Sequence, residues 1–205
     1  MEPSAREIFP NLIGPEDVIV EVGARMGDGT RVLAKLGKQV YAFEPARESF
    51  FLLKLFTRGN KNVRGFNIAL GSSKGEALLQ KDRTFSGVSS INKVTGVHYA
   101  QKEKVAVTRL DSVRFEFPPT SLVVDCEGSE LPVLKGAERL LPNLRMVFVE
   151  THFMDDGSDT TTDVVSQLGR FFLEVRTQHA GPERWVIASR PKGIVTNLPP
   201  TAWSP

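Results

Sequence analysis

The sequence predicts an α/β fold: three layers, with a mostly parallel sheet between helices and an antiparallel hairpin at the C-terminal end. Three observations carry that expectation. Short apolar runs alternate with amphipathic segments from Val18 onward, the pattern of right-handed βαβ units. The first run, DVIVEVG at 17–23, is continuous and rich in β-branched residues, as in a strand covered on both faces. The last two runs are separated only by Ala180-Gly181-Pro182, too short for a crossover helix, so they pair antiparallel.

The elements follow in order. TRVLAKLGK at 30–38 places Val32, Leu33 and Leu36 at helical spacing, with Gly37 as a stop. KQVYAFEP at 38–45 reads as the second strand, RESFFLLKLFTRGN at 47–60 as a helix, and NVRGFNIALG at 62–71 as the third strand. Residues 72–116 break the rhythm: GEALLQKD (75–82) and KVAVTRLDSV (104–113) read as strands around a polar loop. Such a loop inside a compact domain is usually functional. Alternation resumes with SLVVDCEG (121–128) as a strand and SELPVLKGAERLL (129–141) as a helix, capped by Ser129, with Pro132 tolerated in its first turn. LRMVFVETH (144–152) is a strand, TTTDVVSQLGRFF (160–172) a helix behind Asp159 or Thr160, and LEVRTQHAG and PERWVIASR form the final pair.

Length and composition bound the function. A chain of 205 residues with 40% hydrophobic and 24% charged side chains suits one globular domain over residues 1–190, with a Pro-rich tail at 191–205. Within it the cofactor half is expected at about 17–71, a substrate-selecting region at about 72–116, and a catalytic edge at about 121–152. A net charge of +2 without a Lys/Arg block argues against a nucleic-acid partner. One cysteine, Cys126, excludes an intrachain disulfide. The N-terminus lacks an apolar h-region, and no window reaches the roughly 18 apolar residues of a membrane span, so a cytoplasmic protein is expected.

In open α/β sheets ligands sit beyond the carboxyl ends of the strands. The first such end is EVGARMGDGT, where Gly23, Gly27 and Gly29 permit a tight turn. Glu44 lies 21 positions after Gly23, placed to accept from both hydroxyls of an adenosine ribose. The glycine spacing is not that of dinucleotide folds, there is no Walker loop, and Glu21 and Asp28 make the mouth acidic. That mouth suits a cationic ligand, and S-adenosyl-L-methionine combines a ribose, an amino acid and a sulfonium. An NAD-dependent oxidoreductase or epimerase is the alternative on a similar sheet; neither Tyr41 nor Tyr99 has a lysine four residues on. A nucleotide-binding homologue without catalysis is a second.

Read together, VIVEVGARMGDGT, VYAFEP, IALG, VTRLDSV, VVDCEGSELPVLKGAERLL and VFVETH resemble the FkbM-type S-adenosylmethionine-dependent methyltransferases, a class I, Rossmann-like family. The resemblance implies a seven-stranded sheet with its last strand antiparallel, and methyl transfer, typically to oxygen, on sugars, glycolipids, polyketides or other small metabolites. It implies that Glu21, Gly23, Ala24 and Gly27 contact the methionine part, that Glu44 with Pro45 takes the ribose, and that the segment from Asn67 through Ala69 to Leu70 borders the adenine. Three positions depart from the family pattern: Glu21 where Asp is common, Arg25 where Asn is common, and Val123 where a lysine is frequent.

An alcohol acceptor needs its proton removed, by a general base or with metal help. Asp125 and Glu127 end one strand and Glu150 and His152 the next; side chains two apart share a face, so these four are the catalytic candidates. Asp125 is also a candidate for the cofactor amine. Glu130 reads as a helix N-terminal acid, stabilised by about 0.3–1 kcal/mol from the helix dipole. The oxygen-rich set could take a divalent cation, but no spacing motif compels one and a metal is not favoured. Ser86, Ser89 and Ser90 are the substrate-binding candidates in the polar loop.

Overall fold

The structure, a computed structural model, describes residues 5–82, 89–91, 99–180 and 183–190. Ser86, His98 and the tail at 191–205 lie outside the described residues.

The strand β1 (Val18–Val22) is buried along its whole length, Glu21 included. Burying each of its large aliphatic side chains stabilises the fold by about 1.5–3 kcal/mol. It feeds α2 (Asp28–Leu36), β2 (Gln39–Phe43), α3 (Arg47–Thr57) and β3 (Val63–Phe66), which build outward on one side of β1. The chain then returns to the other side through β8 (Ser121–Val124), α4 (Glu130–Gly136), β9 (Met146–Thr151), α5 (Thr160–Gly169), β10 (Glu174–Ala180) and β11 (Glu183–Ser189). The sheet order is β10-β11-β9-β8-β1-β2-β3. Strands β3, β2, β1, β8 and β9 run parallel, while β11 is antiparallel to both β9 and β10. The fold class, the seven-stranded sheet and the terminal hairpin therefore match expectation.

Alternate side chains of each central strand enter different cores. Val20, Val22, Val124 and Val149 pack with Val133, Leu134 and Leu168 from α4 and α5. Ile19, Ala42, Val123 and Phe148 pack with Leu33 and Leu53 from α2 and α3. This second core contains Phe9 and Ile13, from and just beyond α1 (Ala5–Leu12), a helix the sequence reading does not assign. Phe9 stands edge-on to Phe148 and Trp185, with ring centroids 5.4 and 6.1 Å away.

The middle of the chain departs most from expectation. Residues 62–71 are not one strand: β3 ends at Phe66, and β4 (Ala69–Leu70) joins a second, four-stranded sheet. Asn67 is the pivot, its amide donating to the carbonyls of Glu44 and Pro45 at 2.9 and 2.8 Å. The second sheet has the order β4-β7-β5-β6, where β5 is Gly75–Asp82, β6 Ser89–Ser90 and β7 Tyr99–Thr108. Strand β7 stops at Thr108, so the expected strand over 104–113 gives way to a 3-10 turn at Leu110–Ser112. The small sheet approaches α4 closely at one backbone contact: a Cβ on Gly136 would lie 2.1 Å from the carbonyl oxygen of Gly71.

Helix ends were expected longer. Gly136 closes α4, and α5 ends at Gly169. Asp159 caps α5, accepting from the Thr161 N–H at 2.8 Å. Ser129 occupies the N-cap of α4, but its side chain makes no capping bond.

At the amino ends of the strands Asp17 gathers four partners from three segments. It accepts from the Gly14 N–H at 2.8 Å, from the hydroxyls of Thr120 and Ser121 at 2.7 and 3.2 Å, and from the guanidinium of Arg145. Burial opposes the charge on Asp17, yet these bonds outweigh it and hold the carboxyl below its ordinary range.

Candidate active site

Strand order reverses between β1 and β8, so the loops after Val22 and Val124 face one another at the carboxyl edge of the sheet. Two cavities open there. The smaller, about 40 Å³, is walled by Phe43, Glu44, Pro45, Ile68, Ala69, Leu70, Leu79 and Ile91. The larger, about 430 Å³, is bordered by Phe9, Glu21, Ala24, Met26, Asp28, Val123, Glu150, Glu183 and Trp185. That volume is in the usual range for a small-molecule site. Val22, Gly23, Arg25 and Asp125 border both cavities.

The loop after β1 is shaped by Glu44. Its carboxyl oxygens accept the backbone N–H of Arg25 at 2.9 Å and of Ala46 at 2.8 Å, tying the end of β2 to the glycine turn. Arg25 adopts φ 51°, a left-handed conformation uncommon for a residue with a side chain. Burial pushes Glu44 up to about 7, against the pull of the two N–H bonds. Glu21 is buried and accepts from the Thr30 hydroxyl at 2.5 Å, so it is anchored to α2 while bordering the larger cavity.

The opposite loop carries the acids. Asp125 follows β8, and Glu127 takes φ 52° at the turn into α4. His152 lies just past β9 with its backbone clamped by α5: its N–H donates to the Thr160 hydroxyl at 2.9 Å, and its carbonyl accepts the Thr160 N–H at 3.1 Å. Its ring is ringed by carboxyl groups. Nδ1 lies 2.9 Å from Glu130 Oε1; Nε2 lies 3.4 Å from Glu127, 3.9 Å from Asp125 and 4.0 Å from Glu150. Burial works against a charged ring, but the Glu130 bond and the nearby acids push His152 up to about 9. Burial first, then the charge of Glu127, raises Asp125; burial and Asp125 raise Glu150 in turn. Like charges at this separation cannot all persist without a cation.

The four catalytic candidates, Asp125, Glu127, Glu150 and His152, therefore converge on one point. Asp125 borders both cavities, Glu127 the smaller and Glu150 the larger, while His152 stands behind them and borders neither. Asp125, Glu150 and His152 each offer a ligand-type atom within 4.8 Å of the others, a set with the donor chemistry for a divalent cation. The cofactor candidates divide as well. Glu21, Gly23, Ala24, Glu44, Pro45 and Ala69 border a cavity, but Gly27 borders neither. A Cβ on Gly27 would meet Leu53 Cδ1 at 2.8 Å, so that glycine serves the packing of α2 on α3. Ser89 and Ser90 form β6, paired with Lys81 and Gln80.

Several lining residues escaped the sequence reading. The apolar walls Leu79 and Ile91 come from the second sheet, and Glu183 and Trp185 arrive by the pairing of β11 with β9, which sets Trp185 opposite Glu150. Glu130, which the sequence places as a helix N-terminal acid, is fully buried and bonded to His152. The alternation of β11 puts Glu183 and Trp185 on one face, the one signal available for them. Val123, opposite Glu21 in the β1–β8 register, lies on the floor of the larger cavity, where it leaves an apolar surface.

Comparison with known proteins gives a family and a fold. A family model described as "Methyltransferase FkbM domain" matches residues 21–179. The hexuronic acid methyltransferase AglP of Haloferax volcanii is 26% identical over 156 residues, covering 71% of this chain and 60% of AglP. The crystal structure of a methyltransferase FkbM from Methylobacillus flagellatus superposes with a TM-score of 0.62 at 15% identity, over 89% of this chain and 50% of that one. Aeropyrum pernix fibrillarin, with natively bound S-adenosyl-L-methionine, gives a TM-score of 0.54 at 14% identity, over 90% of this chain and 73% of fibrillarin. The chain thus spans 60% of its curated relative and half of the Methylobacillus chain. At these identities the structural likeness concerns the fold.

Proposed function

The chain belongs to the FkbM methyltransferase family, and from that premise we propose that it transfers the methyl group of S-adenosyl-L-methionine to a hydroxyl or carboxyl oxygen of a sugar, glycolipid or natural product. The observation that carries this reading is the junction of the two cavities at Gly23 and Asp125. The adenosine lies over the mouth of the smaller slot, which at about 40 Å³ takes only part of it, its ribose hydroxyls donating to Glu44 and its adenine against Ile68, Leu79 and Ile91. The methionine part crosses Gly23 into the larger cavity, where Glu21, Asp28, Asp125, Glu150 and Glu183 favour a sulfonium cation.

The transfer is an in-line displacement. The acceptor oxygen attacks the methyl carbon, the carbon–sulfur bond breaks, and S-adenosylhomocysteine leaves; positioning and exclusion of water supply much of the rate. For a hydroxyl acceptor Asp125 takes the proton, because it alone of the four candidates borders both cavities. Its raised affinity for protons suits a base working near neutral pH. The charge of Glu127 adds to that affinity, and the His152 ring opposes it. A sugar is the acceptor class we favour, since AglP is a hexuronic acid methyltransferase. Arg25 is the basic side chain at the junction, the group that would meet an acceptor carboxylate.

The test is calorimetric titration with S-adenosylhomocysteine and with NAD, followed by transfer of labelled methyl from S-adenosyl-L-methionine to a panel of glucuronides and neutral glucosides. Binding of S-adenosylhomocysteine and label in a glycoside are expected. NAD binding without S-adenosylhomocysteine binding would sink the reading.

A further inference from the structure

We propose that Glu130 is a positioning residue for the reaction at Asp125: it fixes the imidazole of His152 so that Nε2 points at the three acids of the site. This rests on the methyl-transfer reading above. Glu130 touches neither cavity, so it acts through His152 and not on a ligand.

The geometry is not that of an ordinary helix-end acid. A first-turn acid is stabilised while solvated, whereas Glu130 has no exposed surface. Burying a carboxyl group is costly unless its bonds are made. Oε1 accepts the Gly128 N–H at 2.8 Å and meets His152 Nδ1 at 2.9 Å, while Oε2 is buried and has no hydrogen-bond partner among the described residues. An apolar side chain of similar volume would avoid that cost. What the acid supplies is a defined ring. The Gly128 bond fixes Oε1, Oε1 accepts a hydrogen bond from Nδ1–H, and Nε2 is left facing Glu127, Asp125 and Glu150. Thr160 holds the other end of the residue through both backbone bonds of His152. With backbone and ring both pinned, His152 has one orientation. The arrangement repeats a general logic: a buried acid orients an imidazole, which serves the group that meets the substrate.

The experiment compares Glu130→Gln, Glu130→Leu, His152→Gln and the Glu130→Leu/His152→Gln double variant, using the glycoside that the wild type methylates fastest. Glu130→Leu is expected to lower kcat about 100-fold with S-adenosylhomocysteine affinity within about two-fold. Glu130→Gln, which retains an acceptor oxygen, should recover much of that loss. In the His152→Gln background Glu130→Leu should cost nothing further, because its effect passes through the ring. Nitrogen-15 spectra of histidine-labelled, ligand-free protein should show the His152 Nδ1–H signal of the wild type displaced in Glu130→Leu. A loss of kcat that persists undiminished in the His152→Gln background, or unchanged kcat in Glu130→Leu, overturns the proposal. If the wild type methylates nothing, the methyl-transfer reading fails by itself, and an unshifted His152 signal in Glu130→Leu still overturns the Glu130–His152 link.

Discussion

The backbone of Asp125 lies directly against Gly23: a Cβ added to Gly23 would stand 1.7 Å from the Asp125 carbonyl oxygen. Gly23 also has φ 86°, in the left-handed region. The two loops that flank the cavity junction therefore touch without intervening side chains.

Gly23→Ala is accordingly expected to weaken S-adenosylhomocysteine binding at least ten-fold, because the loops must separate to admit one methyl group. Calorimetry measures the affinity, and circular dichroism separates local displacement from unfolding. Gly59→Ala, where a Cβ meets nothing within 4 Å, serves as the control and should bind like the wild type.

Glu44 gives a pH dependence with a definite sign. Burial raises its pKa from 4.5 to about 7 in the ligand-free protein. The fold thus favours the neutral form, so this group's contribution to ligand-free stability is present below about pH 4.5 and is lost as pH rises through 7. The ionised form is the better acceptor of two ribose hydroxyls, so S-adenosylhomocysteine affinity should increase from pH 6 to 8. Glu44→Gln should flatten that dependence and weaken binding about 10–100-fold, the loss of a charged hydrogen-bond acceptor worth about 1.5–3 kcal/mol. Titrations at four pH values decide it.

Asp125→Asn should lower methyl transfer to a hydroxyl by about 10²–10⁴-fold, the usual contribution of a positioned general base. S-adenosylhomocysteine affinity should change by only a few-fold, since the amide keeps the volume. Single-turnover rates separate the two effects, and an unchanged rate would move the base elsewhere.

Asp17, far from the cavities, controls stability. Its pKa lies below 3.8, so its contribution is present above that value and is lost as pH falls through its folded-state pKa. Asp17→Asn removes the charge facing Arg145 and weakens the bonds to Thr120 and Ser121. A loss of about 2–3 kcal/mol is expected, by analogy with hydrogen bonds to charged groups. Urea midpoints at pH 7 measure it, with a smaller difference between wild type and variant at pH 3.

The main strands could be anticipated from sequence because DVIVEVG, VYAF, SLVV and MVFVET are mostly apolar and rich in β-branched and aromatic residues, with acids only at or near their ends. Helix α1 could not: it contributes Phe9 to the core, whose partners Phe148 and Trp185 lie more than a hundred residues away. The turn at Asn67 also escaped notice, since apolar residues continue through it and the change of sheet depends on two side-chain bonds to Glu44 and Pro45. Within the site, Asp125, Glu150 and Glu44 announced themselves as acids at strand ends. Glu130 did not, because a first-turn acid looks the same in sequence whether it faces water or a buried imidazole.

The seam between Gly71 and Gly136 is main chain against main chain. No substitution there can tune the spacing between the small sheet and α4; larger residues can only break it. Among the cavity walls, Ile68, Leu79 and Ile91 belong to the smaller cavity alone and Phe9, Glu183 and Trp185 to the larger alone. On the proposed assignment, changes at Phe9, Glu183 or Trp185 would alter the acceptor's surroundings without touching the apolar walls of the nucleoside slot.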